Sequence, residues 1–460
     1  MKSEIVMDVN TLSEEMKNLY LNDKRPWIIG LSGGKDSTCV TQMVYYMLKN
    51  LPPYKRRKEV HVLSADTLVE SPIIELRIKN VCKKIKKQAK KDGLPIKVEI
   101  LRPELNDTFW VNLIGRGYPS PNRWFRWCTD RLKINPMTKY IKEQVKENGE
   151  VIILLGIRKS EGGTRTQTMK KYEIEDFKLR KHTTIQGAYI YAPLENWQES
   201  DVWSYLLKVP SPWGENNKNL AKFYRKGDDE IQFIVDKNSL PSGGSRFGCW
   251  VCTVVERDRS LEGFIEEGES WLEPLLKFRN WLKEIRNERA YREDTRKNDK
   301  KKKIVAKRLG RKYIPPEHRG HKILGPFTFE TRHEILRRLI KLQEQVANRE
   351  ISLISPEEVK AIETIWIYEG DNISSITDVF KFPKMSDFTV SDYSARNSVF
   401  DLDQLGTICN KNRIPARLIE QLLIVEKDLS HLSRRNGIYD RLEKVIEEHV
   451  INEMVAKNGV

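Results

Sequence analysis

The stretch Trp27-Ile28-Ile29-Gly30-Leu31-Ser32-Gly33-Gly34-Lys35-Asp36-Ser37 constrains this chain more than any other, because an apolar run stops at a small polar turn and a helical pattern begins at once. That order predicts strand, anion-binding loop, helix. Gly33 and Gly34 let backbone N–H groups approach phosphate oxygens, and the first helical turn adds its partial positive charge. Lys35 supplies a full one. Cys39, Val40, Met43, Val44, Met47 and Leu48 recur at helical spacing and predict one buried face, with Ser37 as the expected N-cap.

Downstream, Glu59–Leu63, Ile96–Leu101 and Val151–Leu155 read as further strands, the last apolar on both faces as buried parallel strands are. Helical segments near 73–91 and 136–147 alternate with them. The expected fold is therefore α/β, a doubly wound parallel sheet. Asp66 follows the second strand, where it would reach a nucleotide or cap the next helix. Gly156-Ile157-Arg158 through Gly162-Gly163-Thr164-Arg165 follows the fourth strand and offers Arg158 and Arg165 as phosphate ligands or as salt-bridge partners. A short strand at Ala188–Pro193 and an aromatic helix from Trp197 close the expected nucleotide domain, residues 1–210. A Gly-, Pro- and Ser-richer segment, 211–262, precedes a basic and mainly helical region, 263–460, with helices expected near 262–289, 329–347, 356–367, 414–428 and 437–456.

At 460 residues and a formal net charge of +16, the chain favours polyanionic partners, nucleic acid first. Arg296 to Lys312 is densely basic and reads either as a solvated loop or as a contact to a nucleic-acid backbone. Met1 to Leu12 has no apolar signal-peptide core, and no stretch approaches membrane-spanning length, so the expected location is cytoplasmic with no membrane partner. Six cysteines in a chain too large to need disulfide staples point to metal or redox use.

Three of those cysteines stand out. Cys249-x-x-Cys252 is a weak signal alone, but Cys128 lies in Arg123-Trp124-Phe125-Arg126-Trp127-Cys128-Thr129-Asp130-Arg131-Leu132-Lys133, where basic neighbours are expected to favour a thiolate. Three thiolates would hold a [4Fe–4S] cluster with one iron open, whereas a structural zinc would want a fourth protein ligand. Cys39 and Cys82 read as core residues.

The Ser-Gly-Gly-Lys-Asp-Ser loop lacks the four-residue spacer of Gly-x-x-x-x-Gly-Lys-Ser/Thr and is not an ordinary P-loop. It resembles the loop of the PP-loop ATP pyrophosphatases, the superfamily of phosphoadenosine-phosphosulfate (PAPS) reductases and tRNA-thiolating enzymes, and implies their adenine nucleotide alpha hydrolase-like fold. With Trp-Cys-Thr-Asp-Arg-Leu-Lys at 127–133, Gly-Ile-Arg at 156–158 and Arg-Phe-Gly-Cys-Trp-Val-Cys-Thr at 246–253, the resemblance narrows to the DndC family, the PAPS-reductase-like sulfurtransferases of bacterial DNA phosphorothioation. That resemblance covers about residues 27–260. It implies ATP with Mg²⁺, a [4Fe–4S] cluster on Cys128, Cys249 and Cys252, and DNA as substrate. It also implies a cysteine desulfurase as sulfur donor and further Dnd proteins, DndD and DndE, as partners. Ser32, Gly33, Gly34 and Ser37 would hold the departing pyrophosphate, Lys35 would neutralise developing charge, and Asp36 would orient the loop or the Mg²⁺. Two rivals share the chemistry, reduction of a small sulfonucleotide and thiolation of tRNA. A third is a nucleotide-regulated DNA-binding module with no turnover.

Overall fold

The computed structural model describes residues 2–161, 179–226, 248–294, 317–318, 321–322, 324–346, 351–369, 409, 411, 414–429 and 441–449. A helix, α1 (Lys2–Asn22), leads into β1 (Trp27–Gly30), and α2 (Lys35–Asn50), β2 (Val60–Ala65), α3 (Pro72–Lys91) and β3 (Ile96–Leu101) follow in alternation. Then come α4 (Asn135–Asn148), β4 (Val151–Leu154), β5 (Leu179–Lys181) and β6 (Ala188–Tyr191). The six strands lie in the order β3-β2-β1-β4-β6-β5. All neighbours are parallel except β5, which runs antiparallel to β6 at the edge. The expected α/β doubly wound sheet is therefore present.

Strand order runs outward from β1 to β2 and β3 on one side, and the chain then returns to place β4 on the other. The strand order, not the strand direction, reverses between β1 and β4, and ligands of open α/β sheets bind outside the carboxyl ends of the strands at such a switch point. Both Ser32–Ser37 and Gly156–Arg158 leave from those two ends.

The sequence explains why the centre holds. Trp27, Ile28, Ile29, Ile152, Ile153 and Leu154 are all buried, as strands covered on both faces require. Ile28, Leu63, Val151 and Ile153 pack with Met137 and Ile141 of α4. The expected helical face of α2 is also found, from Cys39 to Leu48. That helix buries polar residues as well, because α5 (Glu199–Lys208) and its following turn cover its far side: Gln42 Nε2 donates to the Val209 carbonyl at 3.0 Å, and Asn217 Nδ2 donates to Gln42 Oε1 at 3.1 Å. Cys39 and Cys82 are buried core thiols, as expected.

The chain divides into two compact units, Met1–Ile365 and Trp366–Val460. Within the first, α6 (Asn217–Lys226), α7 (Arg259–Glu266), α8 (Glu273–Ile285) and α9 (Phe329–Val346) follow the sheet, and α10 (Pro356–Glu369) crosses the division. Arg332 of α9 fixes that helix to the turn after residue 115. Its guanidinium is buried, donating to the carbonyls of Phe327 at 2.9 Å and Gly115 at 3.2 Å. In the second unit, α11 (Ala416–Leu429) and a helix over 441–449 bury Val425 against Val445. The basic run 296–312 lies outside the described residues. None of the described helices is long and apolar enough to cross a membrane.

Asp258 caps α7, its Oδ1 accepting the Leu261 N–H at 3.0 Å, yet burial pushes its pKa up to about 6 from the ordinary 3.8. An acid whose folded pKa is raised contributes stability at low pH and loses it as pH climbs: the loss begins near pH 4, where the unfolded chain ionises, and is complete above about 6. Asparagine keeps the capping oxygen without the charge. Asp258→Asn is therefore expected to be more stable than the wild type by on the order of 2–3 kcal/mol at pH 7.5 and by much less at pH 4, read by urea unfolding. An advantage independent of pH would contradict this account.

Candidate nucleotide and sulfur site

The phosphate loop is held shut by its own serines. Ser37 Oγ accepts the Ser32 N–H at 3.2 Å, meets Ser32 Oγ at 3.0 Å and donates to the Gly34 carbonyl at 3.2 Å. Ser37 is thus in the first turn of α2 and not its N-cap, contrary to expectation. Gly34 occupies the cap position with no side-chain bond, and Ser37 spends its hydroxyl closing the loop. Gly33 turns the chain with φ of +80°, and a Cβ there would fall 2.9 Å from Ile78 Cγ1, so only glycine fits. From α3, Arg77 Nη1 donates to the Gly33 carbonyl at 3.0 Å.

Lys35, Asp36 and Ser37 begin the helix, where backbone N–H groups have no intrahelical acceptor. One of them is taken by a residue far away in sequence: Lys35 N–H donates to the Tyr224 hydroxyl of α6 at 2.9 Å. The Lys35 side chain is 1% exposed, with its ammonium 3.4 Å from Asp36 Oδ2, 3.6 Å from Glu199 Oε1 and 5.1 Å from the centre of the Tyr224 ring. Charge and helix terminus converge on one spot. Tyr224, Glu199 and Arg77 were not legible as site residues, since each arrives from an element whose place is set only by the fold.

The second loop presses directly on the first. Arg158 is buried and its Nε donates to Asp36 Oδ1 at 2.7 Å, while Nη1 donates to Ser160 Oγ at 3.0 Å. Asp36 thus lies between Arg158 and Lys35, an arrangement that orients the loop. Gly156 makes it possible, for a Cβ there would lie 2.6 Å from the Asp36 carbonyl carbon and 2.8 Å from Ser37 N. Neither atom can give way without moving the phosphate loop. Overpacking of this kind costs about 1–3 kcal/mol, so Gly156→Ala is expected to weaken ATP binding at least tenfold by calorimetric titration. Unchanged affinity would mean that the two loops are not coupled.

Asp66 is 4% exposed and does not cap α3, whose N-cap is Ser71. Its Oδ1 accepts the Leu68 N–H at 3.0 Å and its Oδ2 accepts Arg102 Nε at 3.0 Å. Arg165 lies outside the described residues.

The three singled-out cysteines are brought together at the end of β2. Ser71 N–H donates to the Gly248 carbonyl at 3.1 Å and Trp250 N–H to the Val69 carbonyl at 3.0 Å, a short antiparallel bridge that seats Cys249 beside Glu70. Thr67 Oγ1 lies 3.1 Å from Glu70 Oε1 and 3.4 Å from Cys249 Sγ. Thr253 Oγ1 donates to the Pro121 carbonyl at 2.6 Å, tying Cys252 to the segment that carries Cys128. Lys133 stands among them, 3.4 Å from Glu70 Oε1. The residues next to two of the thiols join aromatic clusters: Trp127 stacks on Phe109 at 5.3 Å, and Trp110, Trp250 and Phe278 pack with centroids about 6 Å apart, while the three thiols stay half-buried.

Desolvation runs against the expected thiolate. Burial pushes the Cys128 thiol up to about 12, the nearby Cys252 adds to the rise, and Lys133 offsets only part of it. Burial likewise drives Cys249 well above the ordinary range, reinforced by Glu70. Burial pulls Lys133 down, but Glu70 and Cys249 outweigh it and keep its pKa above the usual lysine value. Among the described residues, no three His, Cys, Asp or Glu side chains converge tightly enough to hold a single metal ion.

A glycine-turned loop at the switch point of a parallel sheet, with Lys and Asp at the helix start, is the arrangement of the PP-loop, adenine nucleotide alpha hydrolase-like class. The chain belongs to the phosphoadenosine phosphosulfate reductase domain family, whose model matches residues 26–255, from the start of β1 past the paired cysteines. The superfamily uses ATP. Over 241 residues the chain is 29% identical to the uncharacterized protein MJ0066 of Methanocaldococcus jannaschii, a match covering 52% of this chain and 39% of that one. The chain thus spans about two-fifths of the length of that relative. Among solved structures, it is similar to FMN adenylyltransferase of Candida glabrata in complex with FAD and inorganic pyrophosphate, at 13% identity and a TM-score of 0.29, covering 52% of this chain and 71% of that one. The U34-tRNA thiolase NcsA of Methanococcus maripaludis with its [4Fe-4S] cluster gives the same identity and TM-score, covering 60% and 80%. Likeness at that level says nothing of activity.

Proposed function

We propose that the protein is an ATP-dependent sulfurtransferase that replaces a non-bridging oxygen of a DNA backbone phosphate by sulfur. The observation that carries this reading is the bridge from Val69–Ser71 to Gly248–Trp250. It sets Cys249 at the head of α3, the helix whose Arg77 grips the phosphate loop. Six residues of helix rise separate Ser71 from Arg77, about 9 Å. An enzyme that only hydrolyses ATP has no need of thiols there. The net charge of +16 supports a polyanionic substrate, and the motifs at 127–133 and 246–253 support sulfur insertion.

The chemistry follows from the poor leaving ability of a phosphate oxygen. A non-bridging oxygen of the DNA phosphate attacks the α-phosphorus of ATP, a new P–O bond forms, and pyrophosphate departs. Ser32, Gly33, Gly34 and Ser37 receive the departing oxygens, and the Lys35 ammonium neutralises their charge. For a phosphate to take the Lys35 N–H, the Tyr224 hydroxyl gives it up. Mg²⁺ would screen the phosphates, while Asp36, already shared by Arg158 and Lys35, holds the loop in shape. Hydrosulfide then attacks the activated DNA phosphorus, and AMP leaves with the original DNA oxygen.

Cys128, Cys249 and Cys252 are the residues that would hold a [4Fe–4S] cluster. A single zinc draws its sulfurs to about 2.3 Å from one point, whereas a cluster gives each thiolate an iron of its own. When bound, such a cluster supplies an open iron position for inorganic sulfide. The chain's own part would be to hold it at the half-buried thiols beside Lys133.

Isotope labelling tests the sequence of bond changes. With ¹⁸O in the non-bridging positions of the DNA, ATP and a sulfide source, the AMP formed is expected to carry one ¹⁸O per sulfur inserted. Unlabelled AMP would refute attack by the DNA phosphate. AMP formation that answers to tRNA or to a small sulfonucleotide, and not to DNA, would select those substrates instead.

A further inference from the structure

Just before Cys128 the chain makes a turn fixed at many points. Asn122 Oδ1 accepts the N–H groups of Trp124 at 2.8 Å and Phe125 at 2.9 Å, and the Pro121 carbonyl accepts both Thr253 Oγ1 at 2.6 Å and Arg286 Nη1 at 3.0 Å. A backbone so tied could as easily have turned its rings inward. It holds them out: Trp124 is 83% exposed and Phe125 43%. The Arg123 guanidinium lies 5.6 Å from the centre of the Trp124 ring, and Phe125 leans on Tyr118 at 6.2 Å. Beside them opens a cleft of about 620 Å³, lined by Arg123, Arg126 and Arg131, with Asp130 as its carboxylate. Arg131 is engaged by Asp107, which leaves Arg123 and Arg126 as the cations that frame the rings.

We propose that the turn Arg123-Trp124-Phe125-Arg126 is a stacking platform for unpaired nucleotides of a nucleic-acid strand, Trp124 and Phe125 taking base faces and the two arginines the adjoining phosphates. The proposal rests on the nucleic-acid substrate named above and adds to it a strand requirement. In a duplex each base face is already covered by its neighbours, so only a single-stranded or extruded nucleotide offers a face to Trp124. Every base has such a face, which makes the contact indifferent to sequence. Arginines flanking exposed aromatics are the chemistry of such grooves, and a chain of net charge +16 suits a polyanion better than an acidic-poor protein surface. Since Trp127 and Cys128 follow at once, a backbone held on this platform lies next to the thiols.

The test measures anisotropy of labelled 20-nucleotide DNA, single-stranded and duplex, with the full-length protein over a range of salt. Trp124→Ala is expected to weaken single-strand binding about tenfold, the scale of one lost stack, with under twofold change on duplex and no change in salt slope. Trp124→Tyr is expected to recover most of the loss. Arg123→Gln with Arg126→Gln is expected to flatten the single-strand slope by about 0.7 per lost phosphate contact. Melting temperatures identify any variant that fails to fold, and the tyrosine variant then decides. Equal losses on single strand and duplex, no loss on either, or a wild type that binds no single strand would overturn the platform. Trp124-dependent binding of single-stranded RNA with none of DNA would sustain the platform and remove DNA as the substrate. Sulfur insertion into DNA with Trp124-independent binding would remove the platform and leave the reaction.

Discussion

Replacing Cys128, Cys249 or Cys252 by Ser is expected to strip iron from anaerobically purified protein and abolish sulfur insertion, while ATP affinity stays within about twofold of wild type. Serine exchanges a soft thiolate for a hard, largely protonated hydroxyl, a poor ligand for iron–sulfur clusters. The three positions are expected to fail together because the bridge at Glu70 and Cys249 and the Thr253–Pro121 hydrogen bond tie the paired-cysteine segment to the one that carries Cys128, with Lys133 near Cys128 and Cys249. ATP binding is expected to survive because Ser32 to Ser37 is closed by its own serines and by Arg77 and Arg158. The checks are iron, acid-labile sulfide and broad visible absorbance. Stoichiometric zinc with no iron would refute the cluster, and full activity in all three variants would remove the cysteines from the reaction.

Ser32→Ala or Lys35→Ala is expected to reduce pyrophosphate release by on the order of a hundredfold or more, the scale for loss of one transition-state contact. The two act differently. Ser32 supplies a hydroxyl that meets Ser37 Oγ and lies 3.4 Å from the Gly34 N–H, so its loss loosens the cradle. Lys35 supplies the charge. Its removal leaves Asp36 paired with Arg158, which keeps the loop folded and makes the defect one of rate. Near-normal turnover in both variants would show that the phosphates bind elsewhere.

How much of this was legible in the sequence depended on how locally each feature is determined. The β1 loop and α2 were readable because apolar run, glycines and helical period sit within about twenty residues. Strand β5 was not, since Leu179–Lys181 is three residues long and its Arg180 is buried, with Glu195 taking its guanidinium at 2.6 Å. The pairing of Arg158 with Asp36 was half visible: both residues were candidates, but the contact depends on β4 lying beside β1. Cys128, Cys249 and Cys252 were grouped by motif, but the sequence expectation of a thiolate favoured by basic neighbours runs against the fold, where desolvation raises the Cys128 thiol by more than Lys133 lowers it. Tyr224 gave no signal at all, being 189 residues from the N–H it occupies.

Sulfur installed in a DNA backbone by this chain is tested most directly by mass spectrometry of nuclease-digested nucleic acids from cells with and without the gene. Phosphorothioate-linked dinucleotides that are present with the wild type, absent without it, and absent again with the Lys35→Ala variant are the predicted result. Unchanged DNA with thionucleosides lost from tRNA would contradict it.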